Sequence, residues 1–278
     1  MNEPLLRFRI SVDYPQKTGV LTDFSLEIND GEIVGLVGPS GEGKSTVAWS
    51  ILGLLGRKGG RCRGEILFRG RDLLDSSERD LRHVRGKSIS LVPQSPAAAL
   101  NPHLKLSAQI DEAWRAHERG KPETAALMSS VSLPSDPAFL RQYPRSLSVG
   151  MAQRFVIALA ILHRPALLLA DESTSALDTI TQAEILALFA RLRDQYRIAI
   201  LYISHDLASV ASLCDRVAIL KDSKVVEEAD AARIFREPRH DYTRQLIAAI
   251  PRVPESDSLS SLANGLRNGL SRAVENVR

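Results

Sequence analysis

Apolar and polar residues alternate over much of the first thirty positions, a pattern typical of strands with one buried face. Residues 33–37 are apolar apart from one glycine, which favours a strand buried on both faces. This run leads directly into a glycine-rich loop and then into a helical stretch. The pattern predicts strands at 6–12, 24–28, 33–37 and 65–68, a helix over 45–55 and a basic turn at 57–64.

The middle of the chain differs, because strand signals disappear between residues 94 and 146 while proline and alanine rise. After residue 148 strands and helices alternate again, which implies a parallel sheet covered on both faces. We therefore expect a helical insertion at about 94–150 between two halves of a sheet domain. The pattern predicts helices over 108–117, 124–131, 148–162 and 181–196, and strands at 89–92, 166–170 and 198–203.

The last part of the sequence, residues 251–278, is rich in serine and has no aromatic residue. Its apolar residues are helically spaced, but Gly265 and Gly269 each weaken a helix by about 1 kcal/mol. A frayed tail and a short docked helix both remain open here. The helically spaced residues are Leu259, Leu262, Leu266, Leu270 and Val274.

Composition excludes several classes of protein. The 278 residues are 44% hydrophobic and 25% charged, which is ordinary for one large domain with a subdomain. The longest apolar run, 155–162, is far shorter than the ~18 residues of a membrane-spanning helix, and the first residues do not form a signal peptide. Two cysteines cannot build a disulfide framework, and a net charge of +3 is too small to indicate nucleic-acid binding. A soluble cytosolic domain is expected.

Residues 38–45, here called the phosphate loop, fit the pattern G-x-x-x-x-G-K-[ST] between a predicted strand and a predicted helix. Glycines let backbone N–H groups converge on a phosphate, where the helix N-terminus adds positive charge. Lys44 would reach the β- and γ-phosphates, and the Ser45 hydroxyl would bind Mg²⁺. A glycine-rich turn that binds nothing is the alternative. The nucleotide-binding candidates are Gly38, Ser40, Gly41, Gly43, Lys44, Ser45 and Thr46.

Polar residues follow three of the predicted buried strands. Asp171 and Glu172 end one strand, and ligands of such sheets lie at the carboxyl ends of the strands. Asp171 would hold Mg²⁺ through water, and Glu172 would polarise the attacking water. His205 ends the next strand and could bond the γ-phosphate, while Gln94 could sense Mg²⁺ or water. Taken singly, the Asp171–Glu172 pair is more typical of a solvated strand end, His205 of a helix start and Gln94 of a surface amide.

Several motifs in this order give the chain a clear resemblance. The phosphate loop, Gln94, residues 147–151 (here called the signature segment), the strand ending at Glu172, residues 175–178 and His205 together resemble the ATPase subunit of an ABC transporter over about residues 5–250. The resemblance implies an α/β fold: a P-loop NTPase (RecA-like) core with a parallel sheet, an N-terminal antiparallel β subdomain and an inserted α-helical subdomain. The expected division is an ATPase domain over 1–250, with helices at about 94–150, and a tail over 251–278.

Two segments, 94–102 and 237–251, resemble the subfamily that serves oligopeptide, dipeptide and nickel importers. The resemblance implies that ATP and Mg²⁺ lie between this chain and a second ABC ATPase. Two transmembrane permeases would bind this pair at the cytoplasmic face of the membrane, with the region around 94–102 at a coupling helix. An extracytoplasmic solute-binding protein would act through the permeases.

Further residue roles are implied by the resemblance. Tyr14 would stack on adenine, although a strand-edge aromatic residue is the alternative. Ser148 and Gly150 would face the γ-phosphate of the nucleotide held by the partner ATPase, and Asp178 would touch that partner.

The signature segment departs from the family pattern, because Val149 stands where the first glycine is usual. If the position requires a positive φ, a β-branched residue there costs about 1–3 kcal/mol. The hypothesis is that this chain brings one competent catalytic half and one weakened signature, which suits a heterodimer. The alternative is that a small backbone shift accommodates Val149. Ser173, Ser223 and Ala229 also depart from the pattern, in ways that look tolerable.

Two other classes of function remain as alternatives. A soluble ABC-type ATPase without a transport role, such as an accessory subunit of a phosphonate-degrading complex, resembles the same branch. A DNA-repair ATPase needs a long coiled-coil insertion, which is absent here, and a small-molecule kinase gives the signature segment, Asp178 and His205 no role. The sequence itself names no transported solute.

Overall fold

The computed structural model describes residues 3–250, which form two β-sheets with surrounding helices. The strands in this range are β1 (Leu6–Tyr14), β2 (Lys17–Ile28), β3 (Ile33–Val37), β4 (Arg61–Phe68), β5 (Arg71–Asp72), β6 (Ile89–Val92), β7 (Leu167–Asp171), β8 (Ala199–Ser204), β9 (Arg216–Lys221) and β10 (Lys224–Asp230). The α-helices are α1 (Lys44–Ile51), α2 (Glu78–Val84), α3 (Pro96–Ala99), α4 (Leu106–Arg115), α5 (Thr124–Ser130), α6 (Pro137–Leu140), α7 (Val149–Ile161), α8 (Thr179–Tyr196), α9 (Leu207–Leu213), α10 (Ala231–Arg236) and α11 (Asp241–Ala248).

The larger sheet has six strands in the order β10-β9-β3-β8-β7-β6. Its five strands from β9 to β6 are parallel, and β10 pairs antiparallel with β9 at one edge. β3 and β8 are buried at every residue, as their nearly continuous apolar sequences require. The predicted parallel sheet is therefore confirmed, with one antiparallel edge strand added.

The smaller sheet is antiparallel and has the order β2-β1-β4-β5. Its central strand β1 buries alternate residues, with Leu6, Phe8 and Ile10 on the inner face. The ring of Phe8 stacks on that of Phe24 in β2, with 5.7 Å between their centroids. This sheet is the N-terminal antiparallel unit that the sequence resemblance implied.

Two apolar clusters lie on opposite faces of the larger sheet. On one face, Leu201 and Ile203 of β8 cluster with Val47 of α1 and with the antiparallel sheet. On the other face, Ile200 and Tyr202 of the same strand cluster with residues of α7, α8 and α9. Helices on one face, and a helix plus a sheet on the other, thus cover the larger sheet apart from its edge strand β10.

The predicted helical region holds α3 to α6, whose apolar residues Leu106, Met128 and Phe139 join the same cluster as Phe155 of α7. Its outer limits at about 94 and 150 stay a prediction, and the proposed helix within 251–278 lies outside the described residues. Between residues 3 and 250, no helix combines the length and apolarity needed to cross a membrane.

The strand predicted at 24–28 is longer than expected, because β2 begins at Lys17. Two other predicted boundaries were also wrong. The basic turn at 57–64 is half strand, because β4 begins at Arg61 and pairs with β1, for example Cys62 with Val12. The predicted helix over 45–55 ends at Ile51, and Gly53 then turns the chain with a φ of 60°. In both places, contacts with distant residues or a glycine turn outweighed local composition.

Arg216 at the start of β9 fastens the larger sheet to the β2–β3 connection. Its guanidinium donates to both carboxylate oxygens of Glu32, at 2.8 and 3.1 Å, and also bonds Glu228. The side chains of Arg216 and Glu32 are 18% and 14% exposed. Burial works to raise the pKa of Glu32, but hydrogen bonds from Arg216 and Asn29 hold it below its ordinary value.

Replacing Arg216→Met leaves Glu32 largely buried without its cation, so we expect a loss of about 2–3 kcal/mol in the free energy of unfolding at pH 7. Because the folded-state pKa of Glu32 is lowered, the pair stabilises the fold above the ordinary glutamate value of 4.5 and progressively less as the pH falls. Denaturant unfolding should therefore show a smaller difference in the free energy of unfolding between the wild type and Arg216→Met at pH 4 than at pH 7. Arg7→Met, at an exposed position in β1, is the charge-matched control. An equal gap at both pH values would contradict this account.

Candidate active site

The phosphate loop connects β3 to α1 at the carboxyl edge of the larger sheet. Gly38 lies so close to β9 that a Cβ atom there would stand 2.7 Å from the Leu220 carbonyl oxygen. Gly41 and Gly43 adopt φ values of 84° and 92°, which side chains rarely permit. Ser40 is exposed to solvent. The loop thus needs its glycines for both close approach and conformation.

Lys44 is the first residue of α1 and is only 4% exposed. Its ammonium group donates hydrogen bonds to the carbonyl oxygens of Gly38 and Pro39, both at 2.9 Å. Burial lowers the pKa of Lys44, although the nearby carboxylate of Glu172, 3.7 Å away, opposes this effect. The loop therefore holds a buried cation against two of its carbonyl oxygens at the start of α1, and the N–H groups of a helix start favour phosphate.

Ser45 and Asp171 meet across the edge of the sheet, where the Ser45 hydroxyl donates to Asp171 Oδ1 at 3.0 Å. Burial raises the pKa of Asp171, the Ser45 hydrogen bond counteracts this, and the neighbouring Glu172 raises it further. A carboxylate whose charge is disfavoured gains from a nearby cation. Hydroxyl and carboxylate oxygens are the ligands that Mg²⁺ prefers, so this pair fits that ion.

Glu172 is the centre of the polar cluster. Gln94 Nε2 donates to its Oε2 at 3.0 Å, and its Oε1 lies 3.4 Å from His205 Nδ1. Its backbone N–H donates to the Ile203 carbonyl oxygen, and its φ of 45° is left-handed, which is uncommon for a glutamate. The carboxylate is 18% exposed and is held from several sides. Six predicted residues thus come together: Lys44, Ser45, Gln94, Asp171, Glu172 and His205.

Tyr14 ends β1 beside the phosphate loop. Its hydroxyl lies 3.3 Å from Thr46 Oγ1 in α1, and its ring is half-buried. The position is therefore near the candidate nucleotide site. Stacking of the ring on adenine stays a prediction.

The signature segment and Asp178 form a second surface, at the starts of α7 and α8. Ser148 caps α7 by accepting a hydrogen bond from the Met151 N–H at 3.2 Å. A Cβ atom on Gly150 would lie 2.8 Å from Thr181 Cγ2, so the two helix starts are in close contact. Within residues 3–250, no hydrogen bond joins Ser148 or Asp178 to the cluster around Glu172.

The expected backbone strain at Val149 is wrong. Val149 is the first residue of α7 and is absent from the positions with positive φ among the described residues. It therefore has ordinary helical backbone, which a β-branched residue adopts without the predicted cost. What remains is the bulk of its side chain, which is 54% exposed.

Asp178 caps α8 and accepts hydrogen bonds from the N–H groups of Ile180 and Thr181, at 3.1 and 3.0 Å. The Thr181 hydroxyl also donates to it at 2.7 Å. These bonds, led by that from the Thr181 N–H, lower the pKa of Asp178. Its carboxylate thus organises the start of its own helix, and its contact with a partner stays a prediction.

Comparison with known sequences identifies the family. The family model described as "ABC transporter" matches residues 21–175, and one described as "Oligopeptide/dipeptide transporter, C-terminal region" matches residues 226–271. The chain belongs to the ABC transporter ATPases. It is an ATP-binding subunit that hydrolyses ATP, of the oligopeptide/dipeptide branch.

Two relatives and one solved structure illustrate the similarity. The oligopeptide transport ATP-binding protein of Bacillus subtilis is 39% identical over 249 residues, covering 87% of this chain and 70% of that protein. The peptidoglycan transport ATP-binding protein of Agrobacterium fabrum is 41% identical over 268 residues, covering 92% of this chain but only 49% of that protein. The cbiO1 protein of Clostridium perfringens has the same fold, with a TM-score of 0.73, 24% identity and coverage of 90% of this chain and 97% of that one.

A buried hydroxyl network, not predicted from the sequence of this ABC ATPase, lies behind Glu172. Tyr202 of β8 is fully buried, and its hydroxyl bonds Thr174 Oγ1 at 2.8 Å and Ser209 Oγ at 3.2 Å. Thr174 follows Glu172 by two positions, so this network anchors the segment that carries the carboxylate. A tyrosine within a buried strand was the available signal, because its hydroxyl needs a partner.

The contact between Gly150 and Thr181 leads to a test by paired substitution. Gly150→Ala should lower the free energy of unfolding by about 1–3 kcal/mol, because the new methyl group overlaps Thr181 Cγ2. Adding Thr181→Ser should restore most of that loss, since serine lacks Cγ2 but keeps the hydroxyl that bonds Asp178. Denaturant unfolding of the wild type, both single variants and the double variant measures this coupling. Purely additive effects would contradict the contact.

Proposed function

We propose that this ABC ATPase powers the import of peptide-like solutes and that Glu172 is its catalytic carboxylate. The observation that supports the role of Glu172 is the convergence of Gln94, His205 and Lys44 on its carboxylate, beside the Ser45–Asp171 pair. The match of residues 226–271 to the oligopeptide/dipeptide C-terminal region favours peptides over nickel chelates as the solute class.

In the proposed mechanism, the phosphate loop binds the triphosphate through its N–H groups and through Lys44. Ser45 and Asp171 would hold Mg²⁺, which neutralises part of the phosphate charge when bound. Glu172 polarises the attacking water and accepts its proton, and Gln94 keeps the carboxylate oriented towards that water. His205 donates a hydrogen bond to the γ-phosphate as negative charge develops there.

In this proposal each nucleotide also contacts the signature segment of the other ABC ATPase in the pair, so this chain contributes in the same way to the site of its partner. Ser148 and the first N–H groups of α7 form a helix start of the kind that binds anions, and they face the nucleotide held by the partner. Val149 and Ile180 are the large apolar residues that are most exposed in the described part of the chain, at 54% and 76%, and both lie at these helix starts. Apolar side chains at such a surface are suited to burial against another subunit.

The partners in the membrane are also part of the proposal. Two permease subunits would bind the pair near residues 94–102, where Gln94 connects that surface to Glu172 through one hydrogen bond. The chain would therefore act at the cytoplasmic face of the membrane. An extracytoplasmic binding protein would deliver the solute to the permeases.

The proposed role of Glu172 predicts that Glu172→Gln lowers ATP turnover at least about 100-fold, because the general base is lost. ATP binding should persist, since the phosphate loop is unchanged. The assay uses vesicles containing the two permeases, this chain and its partner ATPase, with turnover and ATP-dependent uptake of peptides measured together. Glu65→Gln, at an exposed position in β4, is the matched control.

Uptake of dipeptides or oligopeptides would support the proposed solute class, and uptake of nickel chelates alone would contradict it. Turnover without any association with permeases would instead favour the soluble accessory ATPase. Full turnover by Glu172→Gln would overturn the assignment of the carboxylate.

Val149 provides a test of the asymmetric pair. Val149→Gly should raise turnover of the assembled pair about threefold, or about 0.7 kcal/mol of transition-state stabilisation, because it removes bulk beside the partner's nucleotide. Ile180→Ala is the control, since it removes exposed apolar surface at the neighbouring helix start without changing the signature segment. If Val149→Gly gives no gain, the asymmetry hypothesis is wrong.

A further inference from the structure

The phosphate loop of this chain contains an acidic residue, Glu42, between Gly41 and Gly43. A carboxylate in a loop that binds phosphates is unfavourable, because like charges a few ångströms apart repel each other. The influence of Glu42 reaches the centre of the site, since its charge acts to raise the pKa of Lys44 against the larger, lowering effect of burial. Phosphate binding by the loop is therefore favoured if the negative charge of Glu42 is neutralised or held away from the phosphates.

The β9–β10 hairpin provides two contacts to Glu42. The backbone N–H of Ser223 donates to Glu42 Oε2 at 3.3 Å, and Lys221 Nζ lies 3.8 Å from Glu42 Oε1. The Glu42 side chain is only 21% exposed, so solvent screens this charge incompletely. Both contacts draw the carboxylate towards the hairpin, which also supports the loop at Gly38 through Leu220.

Lys221 is itself held on its other side by α11. Its ammonium group lies 5.2 Å from the centroid of the Tyr242 ring, within the range of a cation–π interaction. It also lies 3.5 Å from the carboxylate of Asp222, which is 82% exposed. Tyr242 belongs to the region that matches the oligopeptide/dipeptide C-terminal family model. A chain of contacts thus runs from α11 through Lys221 to the phosphate loop.

We propose that Lys221 is a positioning residue for nucleotide binding, which neutralises Glu42 and holds its carboxylate on the hairpin side of the phosphate loop. Tyr242 places the Lys221 ammonium group for this role. The proposal rests on the ATP-binding role of the phosphate loop. It gives Lys221 and Tyr242, which lie outside the motifs of the site, a part in that binding.

Lys221→Met should weaken ATP binding by the full chain about fivefold, equivalent to about 1 kcal/mol, because the Glu42 carboxylate is then neither neutralised nor held. Titration calorimetry with ATP gives the dissociation constant, and the loss should shrink between 50 and 500 mM salt as repulsion is screened. Glu42→Ser combined with Lys221→Met should restore affinity to within about twofold of the Glu42→Ser variant.

Lys224→Met is the matched control, because it removes the same charge from an exposed position on the same hairpin. Tyr242→Phe should keep wild-type affinity, whereas Tyr242→Leu should weaken binding in the same direction as Lys221→Met. A double variant that binds ATP as weakly as Lys221→Met would indicate a merely structural role and overturn the proposal. An unchanged dissociation constant for Lys221→Met would overturn it too. If the ATP affinities are as expected but peptides are not taken up, only the proposed function is contradicted.

Discussion

The parallel pairing of β3, β8, β7 and β6 determines where the chemistry of this ABC ATPase can occur. Parallel strands end at the same edge of a sheet, so the residues that follow them are brought together whatever their separation in sequence. Lys44 follows β3, Glu172 follows β7 and Gln94 follows β6. His205 follows β8, which pairs with both β3 and β7. The candidate active site is thus a direct product of strand order, and the loops add only local adjustment.

Electrostatics within this edge are arranged around buried groups of opposite charge. Burial lowers the pKa of Lys44 and raises the pKa of Asp171, because the charged form of each is removed from water. A bound triphosphate would place an anion beside Lys44, and its cation would lie beside Asp171. Each buried charge would then be stabilised by an opposite charge. The charged groups of the site are therefore positioned for a ligand, and burying their charges is unfavourable until that ligand binds.

Much of this architecture follows from the sequence, because buried parallel strands and glycine-rich loops have strong local patterns. The strand at 33–37, the phosphate loop and the carboxylates at the end of β7 were all predictable in this way. Contacts between residues distant in sequence were not. The pairing of Cys62 with Val12 turned a predicted turn into strand, and the helical backbone of Val149 removed a predicted strain. The contact between Glu42 and Lys221 joins residues 179 positions apart and has no local signal.

The two apolar clusters share the strands of one sheet, and this has a consequence for how the protein loses its structure. Alternate residues of β8 enter opposite clusters, Ile200 and Tyr202 on one side and Leu201 and Ile203 on the other. If the residues packed on either face of the sheet separate from it, β8 becomes exposed. The packing on the other face depends on the same strand. The sheet and both its covers should therefore behave as one cooperative unit, in which the slowest-exchanging amide hydrogens lie in β8 and escape only through global opening. Motions that accompany nucleotide turnover must then be drawn from the surrounding loops and helix starts, where opening leaves this shared strand intact.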